Sequence, residues 1–462
     1  MHRWILLLLV LPLSALADSD GDRFRLATFS ADVTPPLGHM LFTGQWKRAE
    51  GVDSPLEARG FVLLPPARSG EKPVVCCAVD WSEIRNEAYD RWRDALAASA
   101  GTVRERVFVS AIHQHDTPLA DLEAQRILEA AGSPHQVIDL AFHEAAVTRV
   151  AEALRESLAK AEPVTHLGRG RGRVEELASN RRYLLLDGTV RYNRMSSCKD
   201  LSARRAPEGD IDPFVSALSF WNGDRALVVL SVYAIHPMSY YGTAQIGSDF
   251  PGLARAARQV ATPETFQIYA SGCSGNVTAG KYNDGAPENR SLLAQRLEKG
   301  MAAALAATER SPLETMEFRL ERVRLEPRET KGFTEADLKD ELATTEDARS
   351  HGLAAIGLSW RKRVDDPDHR IDFPALRFNN GEASLLLLPG EIYVEYQLAA
   401  QEAAGDGFVV ALGYGESAAG YLPIERAWAE NDTNLRDWCW IAPGMEERTM
   451  AAIRKLLAPS AP

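Results

Sequence analysis

The feature that most constrains this chain is a recurring one: short, strongly apolar runs that stop abruptly at a residue able to do chemistry, separated by helical patterns. Residues 25–33, 61–64, 74–79 and 107–112 are rich in Val, Phe and Ile and bounded by Pro, Gly or charge, so they read as strands. Residues 87–98, 137–161, 253–260 and 290–307 carry Ala, Leu, Glu and Arg at helical spacing. Three hairpins are legible. Asp187-Gly188 joins 182–186 to 190–192, Asn222-Gly223-Asp224 joins 215–221 to 226–233, and Asn379-Asn380-Gly381-Glu382 joins 375–378 to 383–388. Mixing strand–helix units with hairpins predicts an α/β protein, mixed β-sheets flanked by helices in one large domain over 18–462, and excludes a helix bundle or an all-β sandwich.

Residues 326–372 break the pattern. They are highly charged, hold one helical stretch at 334–343 and no strand before Phe373, which predicts a surface insertion. The charges otherwise mix, 52 Lys and Arg against 64 Asp and Glu, net −12, with no basic face for nucleic acid and no polybasic stretch for an anionic membrane. At the start, Met1-His2-Arg3, an apolar run from Trp4 to Leu16 and the small-x-small site Ala15-Leu16-Ala17 predict a signal peptide over residues 1–17 and an exported mature protein. The competing reading is an uncleaved anchor, although the run is shorter than the ~20 residues a bilayer needs. Five cysteines are too few for a disulfide scaffold; in an exported chain they leave room for one or two bridges with one thiol over.

The chemistry sits where strands end. His113-Gln114-His115 closes one apolar run, and His-x-His on a strand puts both imidazoles on one face, roughly 7 Å apart. That suits two metal ligands, or a ligand and its catalytic neighbour; a polar strand end that only caps a sheet has the same appearance. His236 repeats the placement after 226–233. Glu391 follows the leucine run 385–388, where a carboxylate is costly unless a positive group meets it, and Tyr421 follows strand 408–413. Residues 269–280 leave a strand for a loop of small residues whose backbone N–H groups and hydroxyls can reach a ligand, without the spacing of a phosphate loop or a nucleophile elbow. The other histidines, His39, His135, His143, His166, His351 and His369 among them, have no polar cluster around them in sequence.

In this order the motifs resemble the catalytic domain of the neutral/alkaline non-lysosomal ceramidase family, zinc amidases of secreted or membrane-surface type. The resemblance is carried by Phe29-Ser30-Ala31-Asp32-Val33-Thr34-Pro35, His113-Gln114-His115, Ser179-Asn180-Arg181, His236, Ser248-Asp249-Phe250-Pro251-Gly252, Gly275-Asn276-Val277-Thr278, Pro389-Gly390-Glu391 and Ala419-Gly420-Tyr421, collinear over nearly the whole mature chain. It implies Zn²⁺ held by His113, His236, Glu391 and Tyr421, with His115 beside it for proton transfer or oxyanion stabilisation and Arg181 near the substrate. Three departures stand out. Asp116 adds a carboxylate beside the site, Thr278 stands where the family has a serine sometimes proposed as nucleophile, and after a short helix at 445–457 no immunoglobulin-like C-terminal domain is expected.

The resulting expectation is a zinc-dependent amide hydrolase in which zinc-activated water cleaves ceramide or another N-acyl compound to a fatty acid and an amine. His115 or Asp116 would move the proton, and Arg181 with the Ser274–Thr278 loop would steady the oxyanion. The partner is a lipid or small N-acyl substrate, with peripheral membrane contact left open and no obligate protein partner. Two alternatives are a catalytically silent binding protein and a metal-independent hydrolase using Thr278.

Overall fold

The computed structural model describes residues 22–42 and 46–459; the predicted signal peptide lies outside them. Three sheets organise the chain. The first runs Glu162–Pro163, Arg25–Asp32, Glu57–Leu64, Val74–Val79, Val107–Ala111; the second runs Phe266–Ser271, Arg225–Tyr233, Phe214–Asn222, His166–Arg173, Glu309–Pro312; the third runs Met316–Val323, Ile371–Phe378, Ala383–Leu387, Phe408–Leu412. Each sheet is mostly antiparallel and ends in one parallel pair, Val74–Val79 with Val107–Ala111, Arg225–Tyr233 with Phe266–Ser271, and Ala383–Leu387 with Phe408–Leu412. A parallel pair needs a crossover, and a helix supplies each one: Asn86–Ala100, Asp249–Ala261 and Val394–Ala403. This is the α/β, mixed-sheet architecture the sequence predicts, and all three predicted hairpins form.

The three sheets share one core. Phe61, Phe108, Phe220, Tyr233, Leu376 and Leu387 belong to a single buried cluster drawn from all of them. Strand ends of different sheets are also tied by hydrogen bonds: Ala111 N donates to Tyr414 O at 3.0 Å, Gly413 N to Ser271 O at 2.9 Å, and Ser271 Oγ to Ile112 O at 2.7 Å. The C-terminal ends of the parallel strands thus meet at one place, where open α/β sheets bind ligands.

Two expectations are corrected. The charged stretch 326–372 is not a surface insertion throughout: beyond the predicted helix, observed as Glu335–Thr344, lies a second helix, Ala348–Val364, whose Ala355, Ile356 and Trp360 are buried in a core with Phe373 and Trp440. Its Ser359 donates to Asp121 Oδ1 at 2.7 Å, so this helix closes a core rather than covering one. All five cysteines are buried and free, so no bridge forms among them. Among the described residues no helix is long and apolar enough to cross a membrane.

Candidate metal centre

His113, His236 and Glu391 arrive from three sheets. His113 follows Val107–Ala111 in the left-handed region (φ 76°), its backbone N–H fixed to Trp81 O at 2.9 Å. His236 follows Arg225–Tyr233 and is fixed by N–H to Val277 O at 2.8 Å. Glu391 opens the short strand Glu391–Ile392, paired in parallel with Tyr421–Leu422, so Glu391 and Tyr421 are register partners. All three side chains are buried, and one ligand atom of each lies within 4.8 Å of the others.

The tautomers follow from the partners. His113 Nδ1 lies 2.9 Å from Ser82 O and His236 Nδ1 2.6 Å from Ser274 O. A carbonyl oxygen only accepts, so each Nδ1 carries a proton and each ring turns its Nε2 inward. Both Nε2 atoms face the same oxygen, Glu391 Oε2, at 3.3 and 2.9 Å. Three such atoms packed this closely in a dry site repel one another unless a positive charge, a second proton on His113 or a metal ion, sits among them. Two imidazoles oriented from behind by carbonyls, with a carboxylate, form a donor set that fits Zn²⁺ or a similar divalent ion.

Arg181 and Tyr421 close one side. Arg181 is buried, donates from Nη1 to Tyr421 Oη at 2.7 Å, and leaves its Nε without a partner. His115 lies on the other side, its ring centroid 5.8 Å from that of His113, and its Nδ1 also lacks a partner.

By sequence, no family model and no curated protein matches the chain. By structure, it aligns with the neutral ceramidase from Pseudomonas aeruginosa at TM-score 0.67 and 19% identity, covering 94% of this chain and 73% of that one. A ceramidase complexed with C2 aligns at TM-score 0.68 and 19% identity, covering 94% and 74%. The fold is that of the neutral ceramidases.

Within this neutral-ceramidase fold the electrostatics of the centre are set by burial and by the pair at its heart. Burial alone would push Glu391 up and His113 down, but their mutual attraction outweighs it, so Glu391 is held well below the usual carboxylate range and His113 is raised. Burial lowers His236 to about 4. His115 is driven well below its ordinary value by burial and then by the neighbouring His113 and His236, so it is neutral at physiological pH.

Two residues named from the sequence are turned elsewhere. The Thr278 hydroxyl is fully buried and donates to Arg194 O at 2.9 Å, so it braces a loop, and no imidazole accepts its proton. Asp116 commits its carboxylate to the backbone of residues 242–243, which removes it as a proton carrier. Two others were missed. Tyr414 stacks on His113, centroids 4.5 Å apart and planes 17° apart, with its hydroxyl 2.8 Å from Ser274 Oγ. Glu83, fully buried, lies 3.9 Å behind His113 Nδ1 and accepts from Arg85 at 2.5 Å. Both follow strands, Phe408–Leu412 and Val74–Val79, so the strand-end rule applied without exception finds them.

Proposed function

We propose that this protein is a zinc-dependent hydrolase of N-acyl amides, ceramidase-like in its chemistry, exported by way of the segment 1–17. The observation that carries the reading is the convergence of two carbonyl-oriented imidazoles on one buried carboxylate oxygen, within the neutral-ceramidase fold. His113, His236 and Glu391, with Tyr421 beside them, would hold the ion. Zinc bound there supplies Lewis-acid chemistry, polarising an acyl carbonyl and making water acidic enough to attack near neutral pH.

The chain's own residues do the rest. Arg181, fixed by Tyr421, presents a permanent positive charge where an acyl oxygen gains negative charge. His115, neutral and beside the centre, is placed to take the proton from the attacking water and hand it to the departing amine. The aromatic rings of Phe42, Trp46 and Trp438 pack together, with Phe42 edge-on to His115, and make its surroundings apolar. That the structural neighbours are ceramidases supports a lipid N-acyl substrate.

The test is metal analysis joined to an amidase assay. Purified protein should hold about one zinc per chain and hydrolyse an N-acyl sphingosine or N-acyl amino acid, with activity lost to a chelator and restored by Zn²⁺. Protein that binds zinc but turns over no N-acyl amide would favour the binding-protein reading. Full turnover by metal-free protein would overturn the zinc reading.

A further inference from the structure

Asp116 is a carboxylate that the proposed reaction leaves unused, yet it is held in a left-handed backbone conformation (φ 58°) one residue from His115. Its partners explain it. Oδ1 accepts from Gly242 N at 3.1 Å, and Oδ2 accepts from Thr243 N at 3.0 Å and from Thr243 Oγ1 at 2.8 Å. These bonds grip the segment between His236 and Ser248 just after Tyr241. The segment is anchored at its start by Asn283, whose Nδ2 donates to Ser239 O at 2.5 Å, and by Arg290, whose Nη2 donates to Tyr240 O at 3.1 Å; at its end Gln245–Ile246 pairs with Gly51–Val52. Between those anchors, Asp116 and the Lys47 Nζ bond to Gly242 O at 2.7 Å hold it down.

What the grip positions is Tyr241. Its ring, 41% exposed, meets His115 edge-on with centroids 4.5 Å apart, and Phe42 meets His115 edge-on at 4.8 Å. A catalytic imidazole is ordinarily oriented by a hydrogen bond to its second nitrogen. His115 has no such bond at Nδ1, so its ring plane is set by the two aromatic walls.

We infer that Asp116 is a positioning residue, pinning the 237–248 strap so that Tyr241 and Phe42 clamp the His115 imidazole in the plane that proton transfer needs. The inference rests on the proton-transfer role proposed for His115. It also gives the departure at position 116 a purpose: the added carboxylate orients the neighbouring base and does not replace it.

Four variants test it: Asp116→Ala, Tyr241→Ala, Tyr241→Phe and Asp116→Asn. Tyr241 is half-exposed, so truncating it empties no core even if Asp116→Ala folds poorly. General acid–base groups contribute about 10²–10⁴-fold, so loosening one should lower kcat by about tenfold or more in Asp116→Ala and Tyr241→Ala. KM should move little, zinc content should not change, Tyr241→Phe should stay near wild type, and Asp116→Asn should fall between. Two readouts need no substrate: faster amide exchange at Gly242 and Thr243 in Asp116→Ala, and broadened His115 ring resonances in both alanine variants. Wild-type kcat in Tyr241→Ala, losses confined to KM, or an unchanged His115 resonance in Asp116→Ala would overturn it. A wild-type protein without amidase activity overturns the functional reading instead, while the two spectroscopic readouts still decide whether Asp116 holds the clamp.

Discussion

Replacing Gly275 by Ala should damage the metal centre without touching a ligand. The backbone at Gly275 is not in the left-handed region, so the glycine is there for space. A Cβ at this position would stand 2.0 Å from Glu391 O, 2.8 Å from Glu391 C and 2.9 Å from Tyr393 Cδ1, where real contacts essentially never fall below 3.0 Å. The least opening is therefore 3.0 − 2.0 = 1.0 Å, and the crowded atom is the main chain of Glu391 itself. That main chain cannot yield freely: Glu391 N donates to Gly420 O at 2.9 Å and Gly275 N donates to Ile392 O at 2.9 Å. Metal sites tolerate about 0.2 Å of ligand displacement, and about 1 Å of misplacement costs roughly 100-fold in rate. Gly275→Ala should thus weaken zinc by about tenfold or more and lower kcat/KM by about 100-fold, with overpacking removing about 1–3 kcal/mol of stability. Competitive zinc titration, steady-state kinetics and thermal melting read the three quantities. Wild-type affinity and wild-type kcat/KM in a folded Gly275→Ala protein would refute the reasoning.

Thr278→Val should cost stability by about 1–3 kcal/mol, because Arg194 O loses a buried donor, while measurable turnover remains; an acyl-threonine found at this position by mass spectrometry would contradict this. His143 is buried with an unpartnered Nε2, and burial lowers it to about 4. Between that value and the ordinary 6.5 the unfolded chain binds more protons than the folded one, so stability falls as pH drops through this window. By pH 5 the loss is about 2 kcal/mol. His143→Leu should flatten that slope in melts from pH 7 to 5, and an unchanged slope would refute the assignment. With a net charge of −12 and no basic amphipathic helix legible in the sequence, turnover should be better on soluble short-chain N-acyl amides than on long-chain ceramide in detergent-free vesicles. A clear preference for the long ceramide would reverse this.

The strand ends carried most of what the sequence disclosed. His113, His236, Glu391 and Tyr421 each interrupt or follow an apolar run, and a sheet delivers such residues to one edge whatever its register further back. What stayed hidden depends on contacts between distant segments. Helix Ala348–Val364 reads weakly because Gly352 and Gly357 lower helix propensity and Arg361, Lys362 and Arg363 mask its apolar face. Gly357 is there because a Cβ would come within 2.5 Å of Trp440, a partner more than 80 positions away in sequence. A nucleophilic Thr278 stays open in the sequence as an alternative because the acceptor of its hydroxyl, the Arg194 carbonyl 84 positions earlier, has no signature at all. The small residues at 272–275 invite a ligand-binding reading; at Gly275 the group that approaches is the protein's own Glu391 backbone.

A centre built from the ends of three sheets also imposes an order of events on a growing chain. The two imidazoles are made early, but the carboxylate they face is 155 positions beyond His236 and belongs to the last sheet to be synthesised. A nascent chain that has folded only its first two sheets holds two inward-facing histidines and no anionic ligand, a poor trap for any ion. With the proposed ion, tight capture would wait until the third sheet docks, so metal would not lock in a half-built molecule. The proposed ion's arrival would then be a completion signal, and metal retention in a variant would report on whether all three sheets have come together.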